Sequence, residues 1–278
     1  MPSPALTEAT AAYTALKSAF VDAPSPDLDK CASLLTTAKL ALAKAGALVV
    51  VDPSKAASLS AELTVAREIL EIGALYSIHA HSIPDFERYF SQLLPYYTDL
   101  AAAIPTPSPR HRMLRGLHLL SLLAQSRIAE FHAALERIPA DWVDGEDVYI
   151  AHAVRLEQAL MEGAYNKVWT ARTQVPCREA TWFVELLMGT IRNEIASCAE
   201  RSYTHLPMQD VATLLFFPAG ASQLPEVRDF CAERGWSIAG GAVPVVQFGG
   251  LEAESAAIDA HAVIRDVIGY AREIERIV

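Results

Sequence analysis

The segment LEQALMEGAYNKVW, residues 156–169, places five polar side chains around one glycine. A loop could bring them together for acid–base catalysis; they are Glu157, Gln158, Glu162, Asn166 and Lys167. The same residues also fit two helices that meet at a tight corner, because Gly163 can adopt the left-handed conformation that such a corner needs. We favour the corner, since the apolar residues of the segment recur at helical spacing and leave the charged residues on the solvent side.

Other residues with catalytic or metal-binding potential are isolated. His79 and His81 would point about 200° apart on one helix and could not bind the same ion. Cys177 follows Pro176, but no histidine nearby in the sequence could activate it as a nucleophile. The sequence contains no G-x-S-x-G, phosphate-binding loop or dinucleotide-binding glycine motif. We therefore expect no enzymatic activity, no cofactor and no bound metal.

Composition limits the class of protein further. The 278 residues are 52% hydrophobic and 20% charged, which provides for a substantial core. A net charge of −10 disfavours nucleic acid and anionic membranes as partners. The start, MPSPALTEAT, lacks the pattern of a secretory signal, and the apolar run ALAKAGALVVV is too short to span a bilayer. The four cysteines are widely spaced, which is typical of reduced thiols in an intracellular protein.

The elements that position these residues follow a helix-hairpin repeat. With an offset of 37 residues, Ile138-Pro139 aligns with Val175-Pro176, and Gln125-Ser126 aligns with Glu162-Gly163. An offset of 34 aligns an upstream copy, Tyr89, Leu94 and Tyr97, with Leu123, Ile128 and Phe131. Two further aliphatic–proline pairs occur, Ile104-Pro105 and Leu206-Pro207. Such periods are typical of helical solenoids, and proline would end each second helix. We predict a TPR-like solenoid over residues 1–181.

Residues 182–250 have a different pattern. Three amphipathic helices precede WSIAGGAVPVVQF, in which strand-forming residues flank Gly240-Gly241 as in a β-hairpin. Gly235 is the expected stop of the third helix. Three helices followed by a hairpin predict a winged helix with one small antiparallel sheet over residues 236–248. A short strand near Thr204–Pro207 could pair with this wing.

Charge decides what the predicted winged helix binds. Its third helix, residues 222–234, carries two arginines against three acidic residues, and residues 236–248 contain no lysine or arginine. Since phosphate neutralisation supplies non-specific nucleic-acid affinity, we predict a protein-binding module. Its contact residues would be Trp236, Ile238, Val245 and Phe248. The dense basic cluster, Arg110, His111, Arg112 and Arg115, opens a predicted solenoid helix, and we interpret it as a solvated face.

The last segment, residues 251–278, predicts an assembly helix. It contains no proline after the Gly249-Gly250 hinge, and its apolar residues recur at alternating spacings of four and three. A second apolar line lies beside the first, so the helix needs more than one neighbour. The alternative is that it folds back on its own domain. The predicted partner-binding residues are Ala260, Val263, Ile264, Val267, Ile268, Tyr270, Ala271, Ile274, Ile277 and Val278.

Helical repeats that run into a winged helix and a terminal helix resemble the PCI family. Its members are subunits of the proteasome lid, the signalosome and a translation initiation factor. The sequence is most similar to the proteasome-lid members, over roughly residues 60–278 and most strongly over 129–217. The first 55 residues are not matched to the family. The stretches that carry the resemblance are AEFHAALERIP, YIAHAVRLEQALMEGAYNKVW, TIRNEIASCAERSY, LLFF, ERGW and YAREIERIV.

The resemblance implies a PCI domain built from residues 83–181 and the winged helix, and a function without catalysis. The chain would be a structural subunit of the 26S proteasome regulatory-particle lid, scaffolding lid assembly for ubiquitin-dependent protein degradation. Its partners would be other PCI-type and lid subunits in a hetero-oligomer of the cytoplasm and nucleus. A subunit of the signalosome or the initiation factor is the alternative, and a nucleic-acid-binding winged-helix protein is less favoured.

Overall fold

The computed structural model describes residues 4–20, 27–46, 60–101, 104, 106–143, 147–172, 174–217, 224–239, 244–248 and 260–276. These residues are mostly helical, as the sequence predicts. None of the helices in these ranges is both long enough and apolar enough to cross a membrane. The chain divides into two compact units, residues 1–191 and 192–278.

The first unit consists of helices. They are α1 Pro4–Phe20, α2 Leu28–Ala45, α3 Ser60–His79, α4 Ile83–Tyr97, α5 His111–Ala124, α6 Ile128–Glu136, α7 Ala140–Val143, α8 Val148–Met161, α9 Tyr165–Ala171 and the first part of α10 Arg178–Ser202. Helix α1 packs on α2, α3 packs on α4, and α5 packs on both α6 and α8. The predicted domain boundary after residue 181 lies within α10, and the predicted domain limits stay predictions.

Three helix hairpins of this unit share one corner geometry. The corner residue has a left-handed backbone in each: φ is 55° at His81, 58° at Ser126 and 67° at Gly163. In each corner this residue donates its N–H to the carbonyl three residues back, and the next residue donates to the carbonyl five residues back, at 2.9–3.0 Å. This is the Schellman ending of a helix. The predicted corner at Gly163 and its equivalence with Ser126 are confirmed.

Two parts of the predicted repeat are wrong. An offset of 34 would place the upstream corner at Gln92, but that residue lies inside α4 and the corner is His81. Leu206-Pro207 belongs to a strand and does not end a helix. The hairpins differ in length, since α3 has 20 residues and α8 has 14, so no fixed offset aligns them all.

A buried polar group joins α3, α4 and the connection to α5. The Tyr97 hydroxyl donates to Glu71 Oε1 at 2.8 Å, and Arg67 Nη1 donates to the Thr106 carbonyl at 2.8 Å. Burial raises the pKa of the Glu71 carboxyl, while Ser108 and Tyr97 oppose that shift by hydrogen bonding to it. The group fixes the connection between the hairpins because buried polar atoms are costly without partners.

The second unit contains the end of α10 and a three-stranded sheet. Its other elements are β1 His205–Pro207, α11 Met208–Leu214, α12 Leu224–Glu233, β2 Ser237–Ala239, β3 Val245–Gln247 and α13 Ala260–Glu275. The sheet order is β1-β3-β2 with antiparallel pairs, and Leu206 lies opposite Val246. The predicted sheet and the short strand near residues 204–207 are confirmed. Gly235 has φ 73°, which confirms the predicted helix stop.

The order helix, strand, helix, helix, strand, strand is that of a winged helix. We keep the winged helix as our interpretation of this unit. The turn predicted at Gly240-Gly241 lies outside the described residues. Helix α11 ends at Leu214, and Phe216 adopts a left-handed backbone with φ 54°.

Candidate assembly surface

Helix α13 presents an apolar half to solvent. Val267 is 62% exposed and Tyr270 is 71% exposed, and no residue of the helix is buried. At 100° per residue, the apolar side chains cover one half of the helix and the charged ones cover the other, except that Glu275, the last residue of α13, falls in the apolar half. The exposed apolar residues are Ala260, Val263, Ile264, Val267, Ile268, Tyr270, Ala271 and Ile274. Ile277 and Val278, which were also predicted to bind partners, lie outside the described residues.

The polar half of α13 explains why the helix can be exposed. Arg265, Arg272 and Glu273 lie on this side, and Arg276 Nη1 is 3.6 Å from Glu273 Oε1. Apart from Glu275, the apolar half of α13 over residues 260–275 has no charged groups that interact favourably with water in this way. Fully burying one aliphatic side chain contributes about 1.5–3 kcal/mol, so burying several residues of this stripe would be strongly favourable. Their binding to a partner stays a prediction.

The four predicted contact residues of the wing divide into two pairs. Trp236 and Phe248 are buried, and their ring centroids are 4.7 Å apart. The Trp236 indole also donates to Glu200 Oε1 at 2.8 Å. These rings belong to the core of the second unit, because large aromatic rings gain most when they are buried there. Of the four predicted contact residues, Ile238 is exposed and Val245 is half-buried, so these two keep side-chain surface for a partner. Contact of the wing with a partner stays a prediction.

Helix α12 is not a basic surface. Arg234 at its end is occupied within the unit: its Nη2 donates to the Asn193 carbonyl at 2.7 Å, and its Nη1 lies 3.7 Å from Glu200 Oε1. Arg228 remains on the exposed face together with Glu226 and Asp229. A face with this balance offers little phosphate neutralisation.

Three of the five polar residues of LEQALMEGAYNKVW, namely Gln158, Glu162 and Lys167, line one cavity between α8 and α9, whereas Glu157 contacts His132 of α6. Glu157 Oε1 lies 3.4 Å from His132 Nε2, and Glu162 Oε2 lies 2.8 Å from Lys167 Nζ. The first contact joins α8 to α6, and the second is an ion pair that spans the α8–α9 corner. The segment forms the structural corner that the sequence predicts. The absence of a catalytic centre there stays a prediction.

The two histidines considered for metal binding line one cavity beside α10, but they lie on different elements. His79 ends α3 and packs against Phe20, with ring centroids 5.4 Å apart. His81 is the corner residue, 5.2 Å from the Trp182 ring, so the expectation that both lie on one helix is wrong. In the described part of the chain, no three His, Cys, Asp or Glu side chains are grouped to hold a metal.

Two further expectations can be compared with the structure. Burial raises the pKa of the Cys177 thiol to about 11, so the thiolate needed for nucleophilic attack is scarce at neutral pH. The basic cluster at the start of α5 is not simply a solvated face. Arg115 is buried, and the His111 ring stacks on Tyr97 with centroids 3.8 Å apart. The interpretation as a solvated face is wrong for Arg115 and His111, because aromatic rings of neighbouring helices cover them, whereas Arg112 is exposed.

Comparison with known proteins shows which family has this sequence. The family model described as CSN8/PSMD8/EIF3K matches residues 111–255, which span α5 to the end of the sheet. The chain belongs to the CSN8/PSMD8/EIF3K family. Within this family it is 38% identical over 275 residues to 26S proteasome non-ATPase regulatory subunit 8 homolog A of Arabidopsis thaliana, covering 99% of both chains.

Two yeast proteins with similar sequences are also named as proteasome regulatory subunits. The Schizosaccharomyces pombe 26S proteasome regulatory subunit rpn12 is 36% identical over 217 residues, which is 78% of this chain and 75% of that protein. The Saccharomyces cerevisiae 26S proteasome regulatory subunit RPN12 is 32% identical over 215 residues, covering 76% and 77%. The resemblance to proteasome-lid members is confirmed. The Arabidopsis match covers nearly the whole chain and so extends into the first 55 residues, which the sequence resemblance leaves unmatched.

Proposed function

We propose that this chain is a non-catalytic structural subunit of the 26S proteasome lid, where it scaffolds the regulatory particle for ubiquitin-dependent protein degradation. Its relatives of similar length are named as proteasome regulatory subunits. The main support for the proposal is the exposed apolar half of α13, which is wide enough to pack against more than one partner helix. Partners are other PCI-type and lid subunits, in the cytoplasm and nucleus, and neither nucleic acid nor membrane is required.

The proposal assigns α13 the role of insertion into a bundle of helices from neighbouring subunits. Changing Ile264 and Ile274 to Asp places two charges in the apolar stripe, and burying an unpaired charge is strongly unfavourable. A tagged chain with both changes should fail to co-purify with lid subunits and should sediment as a free protein.

The matched control changes Arg265 and Arg272 to Asp on the polar half of the same helix. This control should assemble at close to the unaltered level. Normal incorporation of the Ile264→Asp, Ile274→Asp variant contradicts the proposal, and so does an equal loss in the control.

The absence of catalysis is part of the proposal and has its own test. It is supported by the ion pair of Glu162 with Lys167, by the contact of Glu157 with His132 and by the burial that raises the pKa of the Cys177 thiol. The isolated chain should hydrolyse neither peptides, ubiquitin conjugates nor nucleotides, with or without added zinc. Zinc-dependent cleavage that is lost on changing His79 and His81 contradicts this part.

A further inference from the structure

A cavity of about 400 Å³ opens between α8 and α9, beside the Gly163 corner. Its apolar floor includes Leu156, Ala159 and Ala171, and its walls carry polar side chains from both helices. A volume of this size is in the range of sites that hold small molecules or short peptide segments. The cavity lies far along the chain from α13, and the proposed assembly role of that helix does not use it.

The walls of this cavity carry a surplus positive charge. Lys167 and Glu162 both line the cavity, and they neutralise each other at 2.8 Å. Arg155 also lines it and is exposed, and among the described residues it forms no ion pair. An unpaired arginine in a chain of net charge −10 is well placed to attract a negative group.

His152 provides a second polar group, one helical turn before Arg155 on α8. It lines the cavity and is only 7% exposed, and in the described part of the chain its Nε2 has no hydrogen-bond partner. Burial and the charge of Arg155 lower its pKa, so the ring is neutral at neutral pH and can donate one N–H. A buried polar atom without a partner is unfavourable until a ligand or neighbour satisfies it.

We infer that this cavity binds a glutamate-containing segment of a partner polypeptide, whose carboxylate pairs with Arg155 and accepts a hydrogen bond from His152. The guanidinium fork matches a carboxylate in two parallel hydrogen bonds, which favours this group over a point anion. Aliphatic side chains next to the glutamate would cover Leu156 and Ala159. The apolar floor is what makes a peptide segment a better occupant than a free small carboxylate.

The test uses the full chain and a fluorescein-labelled hexapeptide of alternating glutamate and leucine. A peptide of the same length with glutamine in place of glutamate is the uncharged control. The glutamate peptide should bind saturably in fluorescence polarisation, and Arg155→Gln should weaken it at least tenfold. Arg172→Gln is the control variant, because Arg172 is an exposed arginine just after α9 that does not line the cavity. It should bind like the unaltered chain.

A second readout locates the peptide. The ring-nitrogen resonances of His152 in NMR should move when the glutamate peptide is added and stay fixed with the glutamine peptide. Three outcomes overturn the inference: no saturable binding, equal weakening by Arg155→Gln and Arg172→Gln, or equal affinity for the glutamine peptide. Displacement of the peptide by free glutarate at the same concentration would also overturn it, since the apolar floor would then contribute nothing.

Discussion

At the residue scale, Gly73 of α3 lies directly against the Tyr89 ring of α4. A Cβ at this position would be 2.4 Å from Tyr89 Cε1, and Lys39 Nζ lies 4.0 Å from the centroid of the same ring. The ring is buried and held between two helices, so it has little room to move. We expect Gly73→Ala to destabilise the chain by about 1–3 kcal/mol through overpacking.

The matched control for this change is Gly189→Ala in α10. A Cβ at Gly189 would have no atom within 4 Å, so only the gain from a stiffer helix residue remains, about 0.5–1 kcal/mol. Urea denaturation of both variants measures the difference. The packing argument fails if Gly73→Ala is as stable as Gly189→Ala.

His118 makes stability depend on pH. Its ring stacks on Phe90 with centroids 3.9 Å apart, and burial lowers its pKa from 6.5 to about 4. Between these values the unfolded chain binds a proton that the folded chain does not. The contribution of the neutral ring is therefore complete above pH 6.5 and is lost as the pH falls toward 4.

The variant His118→Phe keeps a stacked ring that cannot be protonated. We expect its free energy of unfolding to fall less than that of the unaltered chain between about pH 7 and about pH 5. His261→Phe, a change at an exposed histidine of α13, is the control and should leave the pH dependence unchanged. Equal pH dependence of His118→Phe and the unaltered chain would show that His118 does not contribute.

At the scale of elements, the corners of the α5–α6 and α8–α9 hairpins offer a reciprocal test. Ser126 and Gly163 have nearly the same left-handed backbone, and both are exposed. A residue with a Cβ pays about 1–2 kcal/mol for this conformation, whereas glycine does not. Ser126→Gly should therefore stabilise the chain and Gly163→Ser should destabilise it, each by about 1 kcal/mol. Thermal unfolding of the two single variants measures this, and changes of the same sign would contradict it.

The corners also show what the sequence could predict. Gly163 signals a helix corner because glycine is the usual left-handed residue, and alternating β-branched residues signal the sheet. His81 carries no such signal, so the upstream hairpin was misaligned. The burial of Arg115 and His111 depends on rings from other helices, which their own sequence neighbourhood does not reveal. For the same reason, the composition of the wing could not show that Trp236 points into the core.

The cavity beside α9 is another feature that the sequence predicts only in part. His152 and Arg155 share a face of α8, which the spacing predicts. Their position opposite Lys167 depends on how α9 returns from the corner, and that geometry follows from the Schellman hydrogen bonds. The helix pattern therefore predicts which residues share the face of a candidate site. Whether that face lines a cavity can be seen only in the packed structure.

At the scale of the whole molecule, two compact units with their own buried residues account for the fold. Phe183 is fully buried in the first unit, and Val246 is fully buried in the second. Helix α13 contributes no buried residue to either of them. Stability of the isolated chain and incorporation into a larger assembly should therefore depend on different residues.

Removing residues 257–278 tests this separation. Burial of apolar surface is the main stabilising contribution to folding, and none of the described residues of α13 is buried in the isolated chain. The truncated chain should unfold within a few degrees of the full chain, as measured by circular dichroism. Phe183→Ala is the control for sensitivity, since removing a fully buried ring costs about 3–5 kcal/mol and should lower the unfolding temperature clearly. If truncation lowers it as much as Phe183→Ala does, α13 packs within its own chain and its apolar half is not free for a partner.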